Sequence, residues 1–197
     1  RQVEALRLQD SAEQRKLVTV LFVDLVGFTH LAERLDPEDV REIMSSIFHR
    51  WSGVLRRHGG VVEKYAGDAV MAVFGLLRSQ ENDPRSAVRA GLELGEETRR
   101  LRTELQARFG VDLRLRVGIH TGPVIVTLGG QLPGQDFSVV GDTVNLASRL
   151  QALAPVNGVL ISHDTYRHLR GAFVVQTVEP VAVKGRSQPV KVYVVIA

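Results

Sequence analysis

The chain has no cysteine among its 197 residues. That excludes disulfides, thiolate nucleophiles and cysteine-held metals, and it predicts a cytoplasmic location. Aromatic residues are few, 6% of the chain with one Trp. Basic side chains do not gather into a stripe with aromatics between them, so no nucleic acid partner is predicted. Neither sign of charge dominates: 25 Lys and Arg stand against 22 Asp and Glu, a net charge of +3. Those totals leave room for a local phosphate pocket. No apolar run approaches the ~20 residues of a membrane span. The opening RQVEALRLQD has no apolar signal core and no initiator Met. It reads as part of a longer chain, with regulatory domains expected upstream or downstream. No internal repeat or low-complexity segment is present.

What is present is enough apolar sequence, 44%, for one well-buried domain. Residues 1–15 read as a linker helix or coil and 16–197 as the folded domain. Leu17–Val23 is a nearly continuous apolar run, the mark of a central strand buried on both faces. Gly27 allows a tight turn, with Thr29 or a neighbour capping a helix from about His30. Pro37 opens a second helix to about His58, its apolar stripe including Ile43, Ile47, Trp51 and Leu55. Val61–Ala66 and Ala69–Phe74 flank Gly67-Asp68, the signal for a type II′ hairpin. A long helix follows from Asn82-Asp83-Pro84 to about Phe109. Leu113–Ile119 reads as a strand broken at His120–Pro123 and resumed at Val124–Leu128. Gly129–Gln135 reads as loop and Phe137–Val140 as a strand. Asp142 is the expected cap of a helix from Thr143 to about Leu153. Gly158–Ser162, a short helix at Asp164–Leu169, Phe173–Thr177 and a terminal hairpin at Val181–Val183 and Val190–Ile196 complete the chain. The order predicts an α+β fold. A ferredoxin-like βαββαβ core carries a mainly antiparallel sheet, helices cover one face, and an α/β subdomain is appended at the C-terminus.

Several polar residues fall where chemistry is plausible. Asp24 ends the first apolar run, where a buried acid needs a cation. Asp68 sits at the hairpin tip. If the first strand lies beside the hairpin, these two carboxylates converge, and two carboxylates at a sheet end suit a two-Mg²⁺ site. Alone, Asp24 reads equally well as a capping or turn acid, and Asp68 reads more readily as a solvated residue of an ordinary hairpin. Gly27, Phe28 and Thr29 lead into a helix N-terminus whose N–H groups can meet phosphate. Strand alternation puts Lys64 on the face opposite Glu63 and Tyr65. Asn145 and Arg149, at i and i+4, share one helix face, a pairing suited to ribose and phosphate, although this helix taken alone reads more readily as carrying a surface Arg paired with an acid. Ser138 and Lys184 are weaker candidates, and His120 reads as structural.

Five segments in order, VTVLFVDLVGFT, GVVEKYAGDAVMAVFG, RVGIHTGPVIV, FSVVGDTVNLASRL and VKGRSQPVKVY, closely resemble the catalytic domain of the class III nucleotidyl cyclases. The variant is similar to bacterial adenylyl cyclases related to the bicarbonate-stimulated soluble type. The resemblance runs from about Lys16 to Ala197. It implies cyclic AMP and pyrophosphate made from ATP with two Mg²⁺ or Mn²⁺ ions per site. It implies Asp24, Asp68 and the Leu25 carbonyl as metal ligands, and Lys64 and Ser138 as readers of the base. It further implies Asn145 on the ribose, Arg149 at the α-phosphate and Lys184 on the triphosphate. The metal carboxylates would come from one subunit of a head-to-tail homodimer, and the base-reading, Asn, Arg and Lys groups from the other. Ser138 departs from the Asp or Thr usual in adenylyl members. A guanylyl cyclase and a catalytically silent nucleotide-binding module remain the alternatives.

Overall fold

The computed structural model describes residues 13–128 and 137–197. The expected linker up to residue 12 and the loop 129–136 lie outside the described residues. Strand β1, Gln14–Leu25, begins two residues before the boundary expected at 16. Helices α1, Phe28–Ala32, and α2, Pro37–Arg57, follow it. The hairpin of β2, Val61–Ala66, and β3, Ala69–Phe74, leads to α3, Asp83–Phe109. Next come β4, Leu115–Leu128, β5, Phe137–Val140, and α4, Asp142–Leu153. The chain ends with β6, Val159–Ser162, α5, His163–Leu169, β7, Val175–Thr177, and β8, Val192–Val195.

The sheet order is β2-β3-β1-β4-β6-β8-β7, with β5 pairing β4 at one end. The first four strands have the ferredoxin-like order, and β4–β6 is the one parallel pair among the described strands. From Val18 to Val23 β1 is buried at every position and apolar at all but Thr19, as a strand covered on both faces should be. Leu21, Val23 and Leu25 face one way with Val70, Ala72 and Phe74, against Ile43, Ile47 and Trp51 of α2 and Leu94 and Leu101 of α3. Val18, Val20 and Phe22 face the other way with Met71, Val73, Val124 and Val126, joined by Val144 and Ala147 of α4. Helices therefore cover both sides of the central strands, where one covered face was expected. Trp51 is fully buried, and its Nε1–H donates to Thr98 Oγ1 at 2.9 Å.

Three local expectations change. β4 runs unbroken through His120–Pro123, because on the side away from β1 Pro123 lies between the stretch paired by β6 and that paired by β5. Pro is tolerated in such a gap. Asp142 is the first residue of α4 rather than its cap, which is Gly141 at φ +145. Its carboxylate accepts instead from Arg186. The terminal hairpin reduces to one bridge, Val181 to Val190, because β8 is taken up by β6 and β7.

α4 lies close against β4, and Gly118 makes that approach possible. A Cβ at Gly118 would stand 2.6 Å from the Ala147 carbonyl oxygen and as close to the Gln151 backbone. No side chain can rotate away to relieve contacts with backbone. Gly118→Ala is expected to lower stability by about 1–3 kcal/mol or more, read as a lower urea midpoint. The helix would also shift from its place above the sheet.

Candidate active site

The β1–β3 register sets Asp24 opposite Ala69, the residue after Asp68. The turn carrying Asp68 has positive φ at Gly67, +63, and not at Asp68. That is the type II′ pattern. The two acids therefore meet at one end of the sheet. On the other side of β1, Asp24 pairs with Arg116 of β4. Asp24 Oδ1 is buried and has no hydrogen-bond partner among the described residues.

Burial raises the Asp24 pKa first, and the Asp68 carboxylate raises it further. The Leu25 backbone N–H and the Arg116 charge pull the other way, leaving it at about 6. An unpartnered, half-buried carboxylate oxygen facing a second carboxylate is a site that a hard divalent cation would complete. Oxygen donors from Asp24 and Asp68 fit such an ion. The Leu25 side chain is core, so only its backbone faces this end.

After Leu25 the chain turns at Gly27, φ +71, which only glycine adopts without strain. Phe28 is buried in the core and Thr29 is exposed inside α1, so Thr29 is not a cap. Any phosphate contact from Phe28 must use its backbone.

Lys64 and Glu63 are not on opposite faces. A bulge between Val62 and Lys64 resets the register, so that Val62 opposes Ala72 and Lys64 opposes Met71. Lys64 Nζ lies 3.7 Å from Glu63 Oε2. Met71 belongs to the α4-side cluster, and by strand alternation Asp24 shares that face with Phe22. Tyr65 goes to the other side, its ring against Phe48 and its hydroxyl 2.7 Å from Ser52 Oγ. Ser138 is buried in β5, which approaches β2. No hydrogen bond joins it to Lys64 among the described residues.

Asn145 is exposed on α4 and Arg149 is half-buried one turn later. The Arg149 guanidinium donates to the Lys184 carbonyl. Arg186, two residues on, pairs with Asp142 at the start of the same helix. Both ends of the Lys184–Arg186 turn are thus tied to α4, with Gly185 at φ +89 making the reversal. One group contains Asp24, Asp68 and Arg116, and another contains Asn145, Arg149 and Lys184. Arg116 donates to the Ala152 carbonyl near the end of α4 at 3.2 Å, but among the described residues no hydrogen bond or ion pair joins Asp24 or Asp68 to Asn145, Arg149 or Lys184. A cavity of about 510 Å³ lies beside Leu17, His120, Asp142 and Arg186, and no predicted site residue lines it. His120 in its wall is held neutral by burial, with its pKa lowered to about 4, and its Nδ1 lies 2.7 Å from Ser162 Oγ. That supports its structural reading.

Two residues of the site were missed from sequence. Arg116 was visible only as one of two arginines alternating with leucine and valine in LRLRVGI. Glu63 was placed on the wrong face, because a bulge leaves no sign in a six-residue strand.

This geometry accords with kinship. A family model for the adenylate and guanylate cyclase catalytic domain matches residues 11–197. The chain belongs to that family. It is 29% identical over 196 residues to adenylate cyclase 1 of Rhizobium meliloti, covering 98% of this chain and 30% of that protein. The crystal structure of the adenylyl cyclase CyaB from P. aeruginosa superposes with a TM-score of 0.90 at 34% identity, over 94% of this chain and 96% of that one. The guanylyl cyclase Cya2 follows at 0.86 and 31%, over 93% of both chains. Kinship therefore defines a nucleotidyl cyclase catalytic domain and spans enzymes named for either base. Curated relatives are covered over as little as 14–30% of their length. No described helix is long and apolar enough to cross a membrane.

The Asp24 shift has a definite sign. Its folded pKa of about 6 lies above the ordinary 3.8. The native state therefore binds more protons between these values, and stability falls as pH rises through them. Half-exposure screens the effect to the order of 1 kcal/mol. His120 acts oppositely, losing stability as pH falls from 6.5 toward about 4. The difference between wild type and Asp24→Asn isolates Asp24. Without divalent ions, the variant should gain stability over wild type from pH 4 to 6 in thermal melts. Adding Mn²⁺ should raise the wild-type melting temperature and leave the variant nearly unmoved.

Proposed function

We propose that this domain is an adenylyl cyclase that converts ATP into 3′,5′-cyclic AMP and pyrophosphate. The two sites are shared across a head-to-tail homodimer. The observation that carries this reading is the division of the site: among the described residues, no hydrogen bond or ion pair joins the metal-type acid pair to the ribose–phosphate-type helix edge. Each is half of a nucleotide site, and a second copy supplies the missing half to both.

Asp24, Asp68 and the Leu25 carbonyl would hold two Mg²⁺ or Mn²⁺ ions. When bound, these supply Lewis acidity toward the ribose 3′-hydroxyl and charge neutralisation on the triphosphate. The backbone from Gly27 to Thr29 lies beside the acids and offers N–H groups to the phosphates. From the partner, Asn145 orients the ribose, and Lys184 anchors the triphosphate as a point charge. Arg149 has five N–H donors; the Lys184 carbonyl takes one, and the rest can meet charge growing at the α-phosphate. The 3′-oxygen bonds to the α-phosphorus as the bond to the β-phosphate oxygen breaks in line, and the hydroxyl proton leaves to water or to a phosphate oxygen of the substrate.

Base choice rests on Lys64. An ammonium donates to adenine N1, an acceptor, and opposes guanine N1, which bears a proton. Ser138 can accept from the adenine amino group or donate to guanine O6. The hydroxyl therefore leaves guanylyl cyclase as the second reading. A silent nucleotide-binding module is disfavoured because no member of the residue set is missing.

Purified protein with Mn-ATP should yield cyclic AMP, and more slowly cyclic GMP from Mn-GTP. Asp24→Ala and Arg149→Ala should each lower kcat at least a hundredfold. Mixed in equal amounts, they should recover about a quarter of the wild-type rate, since half of random pairs are mixed and each has one intact site. Proven mixed dimers with no recovery would rule out the shared site.

A further inference from the structure

We propose that Glu63 is a positioning residue for Lys64 and thereby sets how strongly the site prefers adenine over guanine. The inference rests on the reading that Lys64 faces the base, and adds to it a residue that the motif does not assign.

The bulge in β2 is the starting point. In a regular strand Glu63 and Lys64 would project to opposite faces. The extra residue between Val62 and Lys64 cancels that alternation. The Glu63 side chain is 3% exposed and Lys64 is 42% exposed. Glu63 Oε2 is buried with no hydrogen-bond partner among the described residues, and the Lys64 ammonium stands 3.7 Å from it. A carboxylate removed from water at this cost requires a cation. Lys64 is the cation paired with it among the described residues.

The consequence falls on Lys64. A lysine has four rotatable side-chain bonds, and an untethered ammonium can swing out of the base plane. Once it has swung away, nothing in Lys64 rejects the guanine N1 proton. A buried carboxylate at its side restricts that motion. It leaves the remaining N–H donors of the ammonium for the base edge. Ser138 serves either base, so discrimination depends on the ammonium staying in place. Rejection through a fixed donor is the kind that separates close analogues well, because the wrong base leaves a buried group unpaired.

The test measures kcat/KM for Mn-ATP and Mn-GTP on the dimeric protein carrying Glu63→Gln, Glu63→Asp, Lys64→Met, or Glu63→Gln with Lys64→Met. Glu63→Gln should lower the ATP-to-GTP ratio about 5- to 30-fold, mainly through a higher KM for ATP. Glu63→Asp, which keeps the charge on a shorter stem, should fall between it and wild type. In the Lys64→Met background, Glu63→Gln should leave the ratio where Lys64→Met put it. A loss from Glu63→Gln equal for both nucleotides, or a shift of the ratio that persists without Lys64, overturns the proposal and leaves Glu63 a structural acid. A Lys64→Met variant with an unchanged ratio overturns base reading by Lys64 itself. A ratio lowered by Lys64→Met but untouched by either Glu63 substitution overturns the positioning role alone. Melting curves identify any variant that fails to fold, and Glu63→Asp then carries the comparison.

Discussion

The site depends on the register between β1 and β3. Asp24 meets Asp68 because it stands opposite Ala69. A slip of one residue would carry Asp24 to the face packed by α2 and α3, far from the turn. The apolar pattern alone holds this register weakly, because both faces of β1 are apolar. On the other edge of β1, buried polar pairs fix its register against β4. Thr19 and Thr121 lie directly opposite on β1 and β4, with their hydroxyls 3.0 Å apart, and Thr121 continues to Thr165 at 3.0 Å. A slipped strand would bury those hydroxyls unpaired, at about 1–3 kcal/mol each. Gly118 adds a steric lock, since α4 crosses β4 only where no side chain intervenes.

That scaffold holds an unfavourable arrangement. Two carboxylates face each other, one of them partly out of water, with Arg116 of β4 the strand-paired cation beside Asp24. Nothing about the fold benefits from the repulsion, and a neutral pair would pack more comfortably. Local conflict of this kind, within a sheet otherwise consistent at every level, is a mark of function. The same holds on a smaller scale in the β2 bulge, where a buried Glu63 oxygen lacks a hydrogen bond among the described residues.

Much of this was legible in the residues. The strand from Leu17, the stripes of α2 and α3, the glycine turns at 27 and 67, and the Asn145–Arg149 face follow from periodicity and turn chemistry. The misreadings share a cause. His120–Pro123 looks like a break because Gly-Pro usually is one, yet here two different strands pair β4 on either side of the gap. Asp142 looks like a cap because Asp usually is, yet Arg186, forty-four residues away, claims its carboxylate. Glu63 and Lys64 look opposed because strands alternate, yet a bulge brings them together.

The residues by themselves determined which side chains are available: two acids at the ends of apolar runs, a lysine before the turn, an amide and a guanidinium one helical turn apart. Local rules reach that far because they involve neighbours within four positions. Only the tertiary structure decided which of them meet. Asp24 and Asp68 are forty-four positions apart, as are Asp142 and Arg186, and Arg149 and Lys184 are thirty-five apart. Pairings at such distances depend on strand register and helix packing, which the whole core sets and no short stretch can specify.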